Sequence, residues 1–223
     1  MKKTTQSSIR DGVCLNTTST AVEPKKLFRV ATWNVLTLAR EGYVDAVLRE
    51  MTKYNISIAG LTEARIRGAD LTTYDGSVLL HSGATTRHQG VALLLRHPFQ
   101  KALMTWKPIS PRLLSARIRH RHGALTILVA YAPTEQSDDK TKDEFYDQMG
   151  STIADVPPHD QLIVLGDLNA TTGTDHEQFP DVIGKYGSGS LNDNSLRMLT
   201  FCASHSLSVM GSWFRRKNIW RWT

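Results

Sequence analysis

The chain has 223 residues, 40% of them hydrophobic and five of them tryptophan, which suits a globular domain with a proper core. Its two cysteines, Cys14 and Cys202, exclude a disulfide framework and a zinc site of the usual ligand count. The net charge of +6 favours an anionic partner such as nucleic acid or phosphate, although a merely basic soluble protein would show the same balance.

Residues 1–26 are polar and rich in Ser, Thr and Lys, and read as a disordered tail before a domain spanning 27–223. The start lacks the apolar centre of a signal peptide, and no apolar run reaches transmembrane length. Order is expected from "LFRVATWNV", a buried strand ending at Asn34. "EGYVDAVLREMTKYN" sets Val44, Val47, Leu48 and Met51 at helical spacing. "ISIAGLTE" is an apolar strand ending at Glu63, and a turn-rich stretch follows it. Short strands come next: "SVLLHSG", "GVALLLR", "RLLSARIR" and "ALTILVAYAP", the last ending at Tyr131 and Pro133. "RIRHRHG" reads as a basic hairpin with Gly123 in its turn.

Residues 138–154 read as a helix with Phe145, Met149 and Ile153 on one face. In "LIVLGDLNATTG", Leu162 to Leu165 read as a fully buried strand. Side chains in a strand alternate faces, so Asp167 and Asn169 point the same way if the strand persists. A long loop over 170–192 precedes a helix capped by Asn194 and running to about Ser204, with Cys202 as a small core residue. "LSVMGSWF" is a last strand candidate. Several consecutive strands argue against strict α/β alternation and for an α+β protein, two packed sheets with helices outside.

Four apolar strands thus end in polar groups: Asn34, Glu63, Tyr131, and the pair Asp167 and Asn169. If those ends converge, they form a cluster of oxygen donors suited to a hard cation such as Mg²⁺ beside a substrate phosphate. Such a cation would withdraw charge from a phosphodiester, and a spare carboxylate would orient or deprotonate an attacking water. Each residue also has a plainer explanation. Asn34 suits a turn, Glu63 a solvated surface, Tyr131 a core position with a wet hydroxyl, and Asp167 with Asn169 an Asx turn. Arg65, Arg67, Arg112, Arg117 and Arg119 read as a solvated basic surface or as contacts to backbone phosphate.

"TWNV", "LTEAR", "YAPT" and "GDLNATTG", in that order, resemble the signatures of the endonuclease/exonuclease/phosphatase superfamily. "ATWNVLTL", "GVALLL", "FCASHSLSVMGSWF" and "RKNIWRWT" are similar to the endonuclease domain of RTE-type non-LTR retrotransposons and to the craniofacial development protein group. The resemblance covers residue 28 to the end. It implies a four-layer α/β/β/α sandwich of the DNase I type. It also implies metal binding, by Mg²⁺ or Mn²⁺, at Glu63 with Asn34 beside it. Asp167 would position or activate the water, and Asn169 and Tyr131 would contact the scissile phosphate. The implied reaction is metal-dependent phosphodiester hydrolysis, nicking of DNA, inside the cell and in the nucleus if DNA is the target. In the family the pattern continues to a Ser-Asp-His motif whose histidine serves as acid or base. This sequence has no Ser-Asp-His, so the sandwich is expected to lack its C-terminal strands. Two other readings share the cluster: a non-cutting remnant that binds DNA or protein, and a phosphatase or phosphodiesterase acting on a small molecule or lipid.

Overall fold

Three of the strands that the sequence marks as apolar runs, at 77–82, 91–95 and 123–131, are covered on both faces almost throughout. In the computed structural model, which describes residues 28–83 and 89–215 and the backbone of Thr4–Thr5 and Val13–Cys14, the chain divides into two units. The first comprises Met1–Tyr131 and Thr152–Asp167, and the second Ala132–Ser151 and Leu168–Thr223.

The first unit holds eleven strands among the described residues. They are β1 (Thr4–Thr5), β2 (Val13–Cys14), β3 (Arg29–Asn34), β4 (Ile56–Thr62), β5 (Asp70–Tyr74), β6 (Ser77–Ser82), β7 (Val91–Leu95), β8 (Leu103–Ser110), β9 (Leu113–His120), β10 (Gly123–Tyr131) and β11 (Gln161–Asp167). One sheet runs β1-β5-β6-β7-β4-β3 and the other β11-β10-β9-β8-β2. Pairing is antiparallel except for β3 with β4 and β10 with β11. The sheets pack through Ile58, Leu80, Leu93 and Leu95 of the first and Leu114, Ile118, Ile127 and Val129 of the second. Helix α1 (Tyr43–Lys53) covers the other face of the first sheet, setting Val44, Val47 and Met51 on Ala59, Leu61, Leu79 and Leu94. Gly60 lets β11 approach β4: a Cβ there would stand 2.6 Å from that of Leu165.

Two short pairs fall inside the stretch read as a tail: β1 lies on β5 and β2 on β8, and its other residues are outside the described set. Two strands escaped the sequence reading. β5 is DLTTY, with little apolar signal, and β8 contains Pro108 at a register shift, where the missing N–H is tolerated. β11 is half-buried rather than fully buried, and β3 is half-buried to exposed rather than buried, because each is an edge strand with one paired neighbour among the described residues. The β9–β10 hairpin forms, but its turn is made by residues 121–122, and Gly123 is the first residue of β10, opposite His120.

The second unit is built on α2 (Asp139–Ala154, within this unit as far as Ser151) and α3 (Asp193–Ser204). Val182, Ile183, Met198, Leu199 and Cys202 form its core, with Tyr146 and Phe179 against it. Buried Lys142 pairs with Asp193 at 3.0 Å, and Arg197 gathers Asp139, Asp143 and Asp193. Asn192, not Asn194, caps α3, its side chain accepting from Ser195 N–H at 2.9 Å. "LSVMGSWF" forms no strand; its centre is a 3-10 turn at Met210–Ser212. No helix among the described residues is long and apolar enough to cross a membrane.

Candidate active site

Two parallel pairings bring the predicted residues to one rim of the first unit. β3 and β4 run side by side with Asn34 level with Thr62, so Glu63 follows directly beside Asn34. β10 and β11 do the same, with Tyr131 level with Asp167. Thr32 Oγ1 donates to Gly166 O at 2.9 Å and ties β3 to β11. Gly166 has φ +132, and a Cβ there would collide with the carbonyl of Ala130, so this step before Asp167 requires glycine.

Glu63 is the centre of the cluster. Its Oε1 accepts from Asn34 Nδ2 at 2.8 Å and from Tyr131 OH at 3.2 Å, and its Oε2 from Arg65 Nη2 at 2.7 Å. Burial pushes the Glu63 carboxyl up, but the hydrogen bonds from Asn34, Arg65 and Tyr131 outweigh it and hold the group below its ordinary range. Glu63 is therefore a carboxylate at neutral pH. Tyr131 is pushed up by burial and by the negative charges of Glu63 and Asp167, so it stays a neutral phenol that donates.

The backbone around Glu63 is strained. Leu36, Glu63 and Arg65 all lie in the left-handed region, at φ +58, +55 and +54. Such residues cost on the order of 1–3 kcal/mol each and persist only where neighbours impose them. Here Ala64 N–H donates to Gly90 O at 2.9 Å, Arg65 N–H to Gln89 O at 3.2 Å and Leu38 N–H to Ala64 O at 2.8 Å. These bonds turn the chain as it leaves β4 and aim Glu63 at Asn34. Asn34 also makes the turn that its plainer explanation foresaw, its Oδ1 accepting from Leu36 N–H at 3.1 Å. One side chain serves both purposes.

Asn169 belongs to the second unit. It lies beyond the end of β11 with φ +47, so strand alternation from Asp167 does not continue to it. Its Nδ2 donates to Ala132 O at 2.8 Å, and its backbone carbonyl accepts from Asn194 Nδ2 at 3.1 Å. The same Nδ2 of Asn194 also donates to Pro133 O at 3.0 Å, and Asn194 N–H to Glu135 Oε2 at 3.1 Å. Asn194 is thus a buried clamp rather than a cap.

Sequence reasoning undervalued two arginines. Arg65 is ion-paired to Glu63 rather than solvated. Arg112 Nη1 donates to Tyr131 O at 3.1 Å and its guanidinium lies 5.3 Å from the centre of the Tyr131 ring. Burial lowers the pKa of Arg112 from the usual arginine value. A third, Arg117, is also tied down, in a bidentate pair with Asp160 at 2.6 and 2.8 Å. The only sequence signal for Arg65 is its place two residues after Glu63, since a charged residue after a strand ordinarily reads as surface. Arg67 and Arg119 are exposed, as a basic surface requires.

The donor set fits a hard divalent cation of the Mg²⁺ type. Glu63 offers an ionised carboxylate, and Asn34 an amide whose oxygen accepts from Leu36 N–H and whose nitrogen faces Glu63; Mg²⁺ is commonly held by one or two carboxylates with water and substrate phosphate completing its shell. Among the described residues no group of three or more His, Cys, Asp or Glu forms an all-protein cage, so a softer ion such as zinc lacks ligands here.

Comparison with known proteins agrees with this fold. The model of the endonuclease/exonuclease/phosphatase family matches residues 31–217. Craniofacial development protein 2 of Bos taurus is 27% identical over 202 residues, covering 89% of this chain and 34% of that protein. Its counterpart from Tragulus javanicus is 27% identical, covering 89% and 35%. The chain therefore spans about a third of the length of the curated relatives it matches. Among solved structures, the endonuclease domain of TRAS1, a telomere-specific non-LTR retrotransposon, superposes with a TM-score of 0.59 at 15% identity, over 80% of this chain and 71% of that one. The AP endonuclease LMAP from Leishmania major gives 0.52 at 15% identity, over 83% and 68%. At such identities the likeness is one of fold, two mixed sheets with helices in the DNase I-like sandwich.

Proposed function

We propose, from the premise that this chain belongs to the endonuclease/exonuclease/phosphatase family, that its strand-end cluster hydrolyses phosphodiesters and that its substrate is DNA, which it nicks internally. The observation that carries the reading is the Glu63 carboxylate, kept ionised by three side-chain donors at a rim where Tyr131 stands level with Asp167. The basic net charge of +6 supports a polyanionic substrate, as does the similarity to a retrotransposon endonuclease domain.

Glu63 and Asn34 would hold Mg²⁺ or Mn²⁺, which would supply charge withdrawal from the phosphodiester and stabilisation of the leaving oxyanion. The chain's own groups do the rest. Asp167 orients the attacking water and takes its proton. Tyr131, a neutral phenol, would turn its one O–H from Glu63 to a phosphate oxygen while its ring is backed by Arg112. Asn169, in the second unit, offers an amide of the kind that binds phosphate. Action on DNA would place the protein in the nucleus.

The test is nicking of supercoiled plasmid by the purified chain with Mg²⁺, with Mn²⁺ and with EDTA, beside Glu63→Gln and Asp167→Asn. Nicking should need the metal and fall by roughly 10²-fold or more in either variant, with circular dichroism unchanged. An unchanged rate in one variant would remove that residue from the mechanism. Cleavage of a small phosphodiester without plasmid nicking would move the substrate to a small molecule or lipid. A folded chain that binds duplex and cuts nothing would be a binding remnant of the fold.

A further inference from the structure

Leu36 is 64% exposed and sits in the left-handed region at φ +58. Both features cost free energy. A β-carbon strains that backbone, and an apolar side chain in water forgoes burial. The turn itself is accounted for, because its N–H holds Asn34 Oδ1 at 3.1 Å and Asn34 in turn holds Glu63. That role needs only the backbone, and glycine would fill it with less strain. The leucine side chain is not accounted for: among the described residues it joins neither apolar cluster of the first unit.

The segment around it is held firmly. Val35 N–H donates to Thr62 O at 3.1 Å and Leu38 N–H to Ala64 O at 2.8 Å, one anchor on each side of Leu36. Further along, exposed Arg40 and Tyr43 pair, with Arg40 Nη1 3.3 Å from Tyr43 OH. A fixed apolar tip therefore stands two residues from Asn34, followed by a cation and an aromatic ring that both face solvent. Apolar wedges flanked by polar and basic groups are how many proteins enter the minor groove at a base step, while arginine and tyrosine engage the phosphate backbone.

We propose that Leu36 is an apolar wedge for duplex DNA and that segment 35–43, with Arg40 and Tyr43 on the sugar–phosphate backbone, selects duplex over smaller phosphodiesters. This rests on the phosphodiesterase reading above. Leu36→Gly keeps the turn, whose φ suits glycine, and removes the wedge; Leu36→Met keeps an apolar tip. The measurements are kcat/KM on supercoiled plasmid and on bis(p-nitrophenyl) phosphate, with anisotropy of a short labelled duplex and of its single strand. The ratio of plasmid to small-diester kcat/KM should fall about tenfold in Leu36→Gly, as expected for loss of a buried leucine contact, and Leu36→Met should hold it within about twofold. An unaltered ratio in Leu36→Gly overturns the proposal. If the wild-type chain cleaves neither substrate, the phosphodiesterase reading fails by itself and affinity decides. A loss of about tenfold for duplex but not for single strand upholds the wedge, and an equal effect on both, or none, overturns it.

Discussion

Asn34 is the residue where turn chemistry and site chemistry meet. It accepts from Leu36 N–H with its oxygen and donates to Glu63 with its nitrogen, at 3.1 and 2.8 Å. Asn34→Asp keeps the first bond and replaces the second with two facing carboxylates. Like charges at that distance raise a carboxyl pKa, so the Glu63 carboxyl moves up rather than down. A group whose folded pKa is raised destabilises the fold above that pKa and ceases to do so as pH falls through it. The metal-free variant should therefore lose about 1–3 kcal/mol at neutral pH and recover as the pH drops below the carboxylate range. Millimolar Mg²⁺ should raise its melting temperature more than it raises that of the wild type, since the cation neutralises the added charge. Equal shifts in the two proteins would argue against a cation at Asn34 and Glu63. This readout does not depend on catalysis.

At the scale of elements, the start of β11 is pinned as firmly as its end. Asp160, buried just ahead of the strand, takes two bonds from Arg117 on β9 and one from Thr126 on β10 at 2.8 Å. The Arg117 bonds, opposed by burial and helped by Thr126, hold its carboxyl below the ordinary aspartate value. A depressed folded pKa contributes stability that is present above the unfolded value and is lost as pH falls through the folded one. Asp160→Asn should lower the urea midpoint at pH 7 by the equivalent of about 1–3 kcal/mol, and the gap from wild type should close on acidification below the ordinary aspartate range. A gap that persists in acid would mean that the carboxylate charge is not what the arginine needs. Because β11 carries Asp167 at its other end, the same pairing sets the register in which Tyr131 and Asp167 stand level. The basic hairpin at 117–123 lies at the opposite end of β10 from Tyr131, and one of its arginines is spent on Asp160.

For the molecule as a whole, the net charge of +6 makes a prediction about salt. If the substrate is DNA, duplex affinity should fall linearly on a log–log plot with salt, at a slope of about −0.9 for each phosphate neutralised, while KM for a small diester should barely move. A flat duplex response would point away from a polyanion. Much of this molecule could be read from the chain alone. The apolar runs located β3, β4, β6, β7, β9, β10 and β11, because strands packed into a sandwich show their burial in composition. They also marked the strand ends where Asn34, Glu63, Tyr131 and Asp167 sit. β5 and β8 did not show, since one is carried by threonines and the other holds a proline, and neither has a period of its own. Arg65, Arg112 and the clamp at Asn194 were missed for a related reason: a polar residue near a strand or helix end has many uses, and sequence cannot say which partner it meets. The sequence by itself determined the family, the sandwich and the residue types at the rim, because hydrophobic pattern and motif order are local properties. Only the tertiary structure decided that Glu63 is held by three donors, that β11 is an edge among the described strands and that Leu36 is mostly exposed, because these depend on pairings between segments far apart in the chain.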